Sequence, residues 1–131
     1  MGDAVRLVAL SEEPLEVATA YDVVRAGAAG GVAVFVGTVR ELDGGKRVRR
    51  LDYTAHPTAA GVLREVVDEV VTSHDVVAVA AVHRVGELEV GDVAVVVAVS
   101  CTHRGDAFTA CRALIDQLKH RVPIWKHQLF A

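Results

Sequence analysis

Three stretches of this chain restrict what it can become more than anything else in it. Residues 31–40 (GVAVFVGTVR), 76–85 and 92–101 are built largely from valine and alanine. β-branched residues at that density favour strands, and the nearly continuous apolar run at 31–40 is the mark of a strand buried on both faces. Its first polar groups, Thr38 and Arg40, fall at its end, where a strand meets the rim of a sheet. The other two runs are joined by GELEVG at 86–91, a turn-rich connection that predicts an antiparallel pair.

Strands of this kind need amphipathic helices over them, and the chain supplies about three. Ser11, Glu13 and Pro14 predict the opening of a helix that carries Leu15, Ala18, Val23 and Val24 and ends at the glycines of 27–31. Pro57 suits the first turn of a second helix, in which Leu63, Val66, Val67, Val70 and Val71 form one buried stripe that ends near Ser73. A third runs from Arg104 to Lys119, with Ala107, Ala110, Cys111, Leu114, Ile115 and Leu118 on one face. Asp106 lies near its positive end and Lys119, His120 and Arg121 near its negative end, as the macrodipole favours.

The remaining pieces complete the order β-α-β-β-α-β-β-α-β. Residues 6–10 read as a short first strand, 41–46 as a hairpin or flexible loop around Asp43-Gly44-Gly45, and 48–56 as a further strand. Pro123 stops the third helix, and residues 124–126 look like a short extended segment. At 131 residues the whole chain, 1–131, fits one domain, for which the expected class is α+β with a mainly antiparallel sheet.

Composition narrows the function classes. Aromatic residues make up 5% of the chain and the net charge is -3, which argues against nucleic acid or an anionic membrane as partner. No apolar run reaches membrane-spanning length, the N-terminus lacks a signal pattern, and Cys101 and Cys111 form no CxxC pair. A cytosolic protein with free thiols is the expectation. Charge is unevenly spread: residues 103–131 hold 5 of the 14 Lys/Arg but only 2 of the 17 Asp/Glu, together with His103, His120 and His127.

Within that basic segment, two groupings carry chemistry. His103-Arg104 stands at a strand-to-helix junction, where unpaired backbone N–H groups and a positive dipole end suit a phosphate or carboxylate. Taken alone, a solvent-exposed cap is the plainer reading. Lys119 and Lys126 flank a proline-fixed turn, so their ammonium groups can converge, and like charges held close depress each other's pKa and free a neutral amine. Arg40 closes its strand beside the glycine loop, whereas Arg47, Arg49 and Arg50 read as a solvated face. The three C-terminal histidines have no standard ligand spacing, so no metal is expected.

Five segments in order are similar to the large, catalytic subunit of molybdopterin synthase. They are FVGTVR at 35–40, LDYTAHP at 51–57, HRVGELEVGD at 83–92, SCTHRGDAF at 100–108 and LKHRVPIWK at 118–126. The resemblance implies a hammerhead-like α+β fold and a sulfur transfer that turns cyclic pyranopterin monophosphate into the molybdopterin dithiolene, with no cofactor. It implies a small ubiquitin-like partner whose C-terminal Gly-Gly thiocarboxylate brings the sulfur, and a homodimer of the large subunit within a heterotetramer. By position, Lys119 and Lys126 match the catalytic lysines, with Lys119 in the chemical role. Arg40, His103 and Arg104 match the substrate and anion pocket, and Thr38 and Val39 match the loop beside it. His127 and Gln128 are also placed with the substrate, although they replace a more usual basic-acidic pair. Family members usually continue past the Trp-Lys segment, so part of the partner-tail channel or dimer contact is expected to be missing after Phe130-Ala131. A non-catalytic binding module for a phosphorylated metabolite or a partner's tail is the alternative, and a histidine-based metal hydrolase ranks last.

Overall fold

The valine runs do form the centre of the molecule, in a computed structural model that describes residues 3–131. The elements are β1 (Val5–Ser11), α1 (Val17–Val24), β2 (Gly31–Thr38), β3 (Leu42–Asp43), β4 (Lys46–Ala55), α2 (Ala59–Ser73), β5 (Val76–Arg84), β6 (Gly86–Glu89), β7 (Val93–Cys101), α3 (Arg104–Arg121) and β8 (Ile124–Phe130). The main sheet has the order β1-β5-β7-β2. β5 and β7 are antiparallel, as their turn-rich connection predicts, and β1 joins β5 in parallel.

Strand alternation divides the core in two. Val79, Ala81, Val95, Val97 and Val99 face α2 and α3, where Leu63, Val66, Val67, Val70, Ala107, Ala110, Cys111, Leu114 and Leu118 meet them. Ala78, Ala80, Val96 and Ala98 point the other way, onto Ala20 and Val24 of α1. Small alanines on the α1 side let that short helix lie close to the sheet. Both helical stripes expected from periodicity in α2 and α3 are therefore buried where expected, with Val71 and Ile115 at their margins.

The second sheet is where the sequence reading falls short. β4 is its spine: Arg50, Leu51, Asp52 and Tyr53 have antiparallel partners in β6 on one edge and in β8 on the other, and β3 pairs with the start of β4. Residues 86–91 thus hold a strand of their own between Gly86 and Gly91, both at φ 91°. The final segment extends past residue 126 to Phe130 because β4 supplies a pairing edge that no local pattern reveals. Val39, Val48, Leu51, Leu88 and Ala94 form a small core that ties this sheet to the main one. The fold is α+β with three helices and mainly antiparallel pairing, as expected, but in two sheets.

Two further expectations are corrected. β2 is an edge strand: Val34, Phe35 and Val36 are each exposed by more than a third. An apolar run on an uncovered edge has the same letters as one covered on both faces. Helix α1 begins at Val17, because Ser11 ends β1 and its hydroxyl exchanges hydrogen bonds with the backbone of Glu13, closing a turn. Strand β4 stops at Ala55, one residue before His56. Among the described residues no helix is long and apolar enough to cross a membrane.

Leu114 is fully buried between α3 and the main sheet. Leu114→Ala is expected to lower stability by about 2–5 kcal/mol, the usual cost of a leucine-sized cavity, read as a reduced urea midpoint with an unchanged m-value.

Candidate active site

The packing of α3 decides where the basic segment goes. Its apolar face is pinned to the sheet up to Leu118, so Lys119 emerges at the helix C-terminus beside the end of β5. Val122 ends the helix and Pro123 redirects the chain, and β8 then runs back along β4 with Lys126 opposite Tyr53. The result is a cavity of about 220 Å³ lined by Tyr53, His83, Leu118, Lys119, Val122, Ile124 and Lys126. The two lysines that the sequence places together do share one site.

Leu118, Val122 and Ile124 make one side of this cavity apolar, which penalises charge within it. Lys119 is among the exposed residues of α3, yet protein surrounds its amine closely enough for burial to lower its pKa from the ordinary 10.5. The ammonium of Lys126 adds to the effect. Burial also raises the Tyr53 phenol above its usual 10.0. His83 is held below 6.5, first by burial and then by the Lys119 charge, against a bond to Arg84 that acts in the opposite sense.

Arg40 reaches the same neighbourhood through a carboxylate. Its Nη2 lies 3.1 Å from Asp43 Oδ1, and the other oxygen of Asp43 is 3.8 Å from Lys126 Nζ. The β3–β4 hairpin delivers Asp43, with Gly44 and Gly45 at φ 58° and 79° making the turn that side chains resist. Thr38 is exposed at the end of β2. Val39 is different, since its side chain is buried in the small core and its backbone bonds to Gly91 and Asp92. Gln128 shares the Lys126 face of β8 by alternation, whereas His127 is on the opposite face across from Asp52.

His103 and Arg104 are not part of this cavity. They begin α3, while Lys119 is fifteen residues along it, a distance of about 22 Å at 1.5 Å per residue. A side chain added at Gly31 would sit 2.8 Å from Arg104 Cα, so glycine there lets the start of β2 abut the start of α3. Farther along the β2–α3 face two large apolar side chains are open: Phe35, on the α3 side of β2, is 38% exposed and Phe108, one turn into α3, is 65% exposed.

Sequence reasoning missed Tyr53, His83 and Asp43 as members of the site. His83 had a signal available, since Val79, Ala81 and His83 keep the inward phase of a strand and the last of them is polar. Tyr53 shares its phase with the buried Leu51 in the same way. Asp43 had none beyond turn chemistry, because its link to Lys126 exists only once β8 has paired. Among the described residues no cluster of three metal-ligating side chains occurs.

A family model described as MoaE protein matches residues 10–121. The molybdopterin synthase catalytic subunit of Halalkalibacterium halodurans is 42% identical over 121 residues, covering 92% of this chain and 78% of that one. Molybdopterin synthase from Staphylococcus aureus superposes with a TM-score of 0.87 at 34% identity, over 93% of this chain and 90% of that chain. Alike in fold, with a TM-score of 0.73 at 20% identity over 98% of this chain and 86% of that one, is a Helicobacter pylori structure of subunits 1 and 2 of molybdopterin-converting factor in complex.

Since Lys126 is one of the two causes that depress Lys119, Lys126→Ala is expected to move the Lys119 pKa back up toward 10.5 without restoring it fully. A pH titration of lysine ¹³Cε resonances, with Lys119→Ala used for assignment, measures this. No change would mean that burial alone sets the value.

Proposed function

The chain belongs to the MoaE protein family, and from this membership together with its paired lysines we infer that it is a molybdopterin synthase catalytic subunit, a sulfurtransferase. It accepts sulfur from the C-terminal thiocarboxylate of a small ubiquitin-like carrier and places it on cyclic pyranopterin monophosphate. The observation that carries this reading is the cavity in which Lys119 and Lys126 face each other beside apolar walls.

Lys119 holds the chemical role. Whether its amine removes a proton from the pterin or attacks the carrier's activated acyl carbon, it needs a lone pair, and burial together with Lys126 favours the neutral form that has one. Lys126 supplies the second positive charge, steering the anionic carrier tail and the pterin. Arg40 pairs with phosphate oxygens once these compete with Asp43 for its guanidinium. Thr38 and Gln128 border the entrance, Val39 fixes the loop from within, and His127 contributes from the outer face of β8.

His103 and Arg104 join the reaction through a second copy of the chain. Their distance along α3 keeps them from the cavity of their own protomer, while the exposed Phe108 one turn on, and Phe35 farther along the same β2–α3 face, offer an apolar contact of the kind a homodimer covers. Each active site then takes its lysines from one protomer and its His103-Arg104 anion cradle from the other. With one carrier per catalytic subunit the assembly is a heterotetramer. Its place of work is the cytoplasm, a setting that suits two free, buried thiols.

Lys119→Ala is expected to keep the fold and carrier binding yet to lose dithiolene formation by at least about a hundredfold in single-turnover mixtures with thiocarboxylated carrier. Near-normal turnover would remove Lys119 from the chemistry. Retention of unchanged pterin by the native complex would make the protein a binder instead.

Complementation addresses the shared site. Chains carrying Lys119→Ala and chains carrying Arg104→Ala, each nearly inactive alone, are expected to recover about a quarter of native activity when unfolded together and refolded in equal amounts, because half of the dimers are mixed and each of these has one intact site of two. Absence of recovery would place both residues in sites made by one protomer.

A further inference from the structure

The α1 side of the main sheet holds a buried charge without a counter-charge among the described residues. Along β5, Val79 and Ala81 face α2 and α3, so by alternation Ala80, Val82 and Arg84 face α1. Arg84 is 7% exposed there, and its Nε is buried without a hydrogen-bond partner. Its Nη2 has one long contact, 3.4 Å to the backbone oxygen of Glu87. A guanidinium stays charged, and burying one unpaired is costly. Asp92 lies in the same wall but makes no ion pair with Arg84, and its Oδ2 accepts the backbone N–H of Glu89 at 2.9 Å.

Space surrounds this arginine. It lines a cavity of about 260 Å³ together with Pro14, Leu15, Gly91, Asp92 and Val93. The far side of that cavity is fixed, because the backbone of Val39 bonds to both Gly91 and Asp92. Pro14 and Leu15 also border a second cavity of about 330 Å³, walled by Leu7, Ala9, Ala20, Val82 and Val96. Val82 and Arg84 are two residues apart on one face of β5, about 7 Å, so the cation stands at the end of an apolar space. Of the polar groups around the second cavity, Glu16 and Thr19 are exposed and the Ser11 hydroxyl is engaged with Glu13.

We propose that the two cavities form one binding site for a small monocarboxylic acid with an aliphatic or aryl body: its carboxylate pairs with Arg84 and its body fills the space between α1 and the sheet. A carboxylate is the planar partner that a guanidinium fork matches. Asp92 limits the charge the site accepts, since it repels a dianion such as phosphate more than a single carboxylate. The apolar walls supply the rest of the affinity, and an acid without a body cannot use them. This site is on the opposite face of the sheet from Lys119 and Lys126, and no step of sulfur transfer passes through it.

Titration of the full chain with hexanoate, followed by methyl and guanidinium NMR, tests the site. Saturable shifts are expected at the methyls of Leu7, Leu15 and Val82 and at the Arg84 Nε–H. Hexanol, acetate and inorganic phosphate, which lack the charge, the body and the single charge respectively, are each expected to bind at least about tenfold more weakly. Arg84→Gln is expected to weaken hexanoate by at least about tenfold, the range for hydrogen bonds to a charged group. Thr19→Phe, at an exposed position on the wall, is expected to weaken it as much by filling the apolar cavity, and it decides the matter if the arginine variant does not fold. Shifts at Leu118 and Ile124 in place of Leu7 and Val82 would put the acid among the lysines and overturn the proposal. Equal binding of hexanol or phosphate, or an affinity for hexanoate that Thr19→Phe leaves unchanged, would do the same.

Discussion

The burial of one face of α3 against the main sheet governs the rest of the structure. Ala107, Ala110, Cys111, Leu114 and Leu118 lock the helix in rotation and in height on Val95, Val97 and Val99. With the helix fixed, Lys119 has one direction in which to emerge, and the turn at Val122-Pro123 has one place to begin. Only then can β8 find the free edge of β4 and carry Lys126 to Tyr53. The chemistry of the cavity is thus specified by aliphatic packing several residues away from it, which is how a long and flexible side chain comes to have a defined place.

Electrostatics in the cavity follows from that placement. Two lysines and a histidine share a space with apolar walls, and a state in which all three are charged is strongly disfavoured. Asp43 relieves part of the repulsion by standing against Lys126 and Arg40, but it does so from the hairpin, outside the cavity itself. Among the described residues Lys126 therefore keeps a counter-charge and Lys119 has none. This asymmetry gives the two lysines different electrostatic surroundings although they are identical in type.

Much of this was legible in the sequence, and the failures have a common origin. The stripes of α2 and α3 were readable because helical periodicity is recorded within a dozen neighbouring residues. The pairing of Lys119 with Lys126 was readable because a proline turn joins them. What periodicity does not record is which surfaces meet across the chain. The run at 31–40 has the composition of a doubly covered strand, but β2 lies at an edge where α1 is too short to shield Val34 and Val36. The strands β6 and the far half of β8 exist because β4 is there to pair with them, and no local pattern in residues 86–91 or 127–130 announces it. His103 and Arg104 were grouped with the lysines through resemblance, and only the length of α3 reveals that one chain cannot bring them together.

That length has an evolutionary implication. A helix that presents a basic pair at its start and a half-enclosed lysine at its end works as a ruler, and its reading is set by residue count. One inserted or deleted residue would swing everything beyond it by about 100° and slide it about 1.5 Å, turning Lys119 away from β5 whatever the composition of the helix. The outward-facing positions, such as Arg112 and Asp116, are exposed and have no part in setting it. The number of residues between 104 and 119 is a different matter, because it alone fixes both the angle and the distance from one end of the helix to the other.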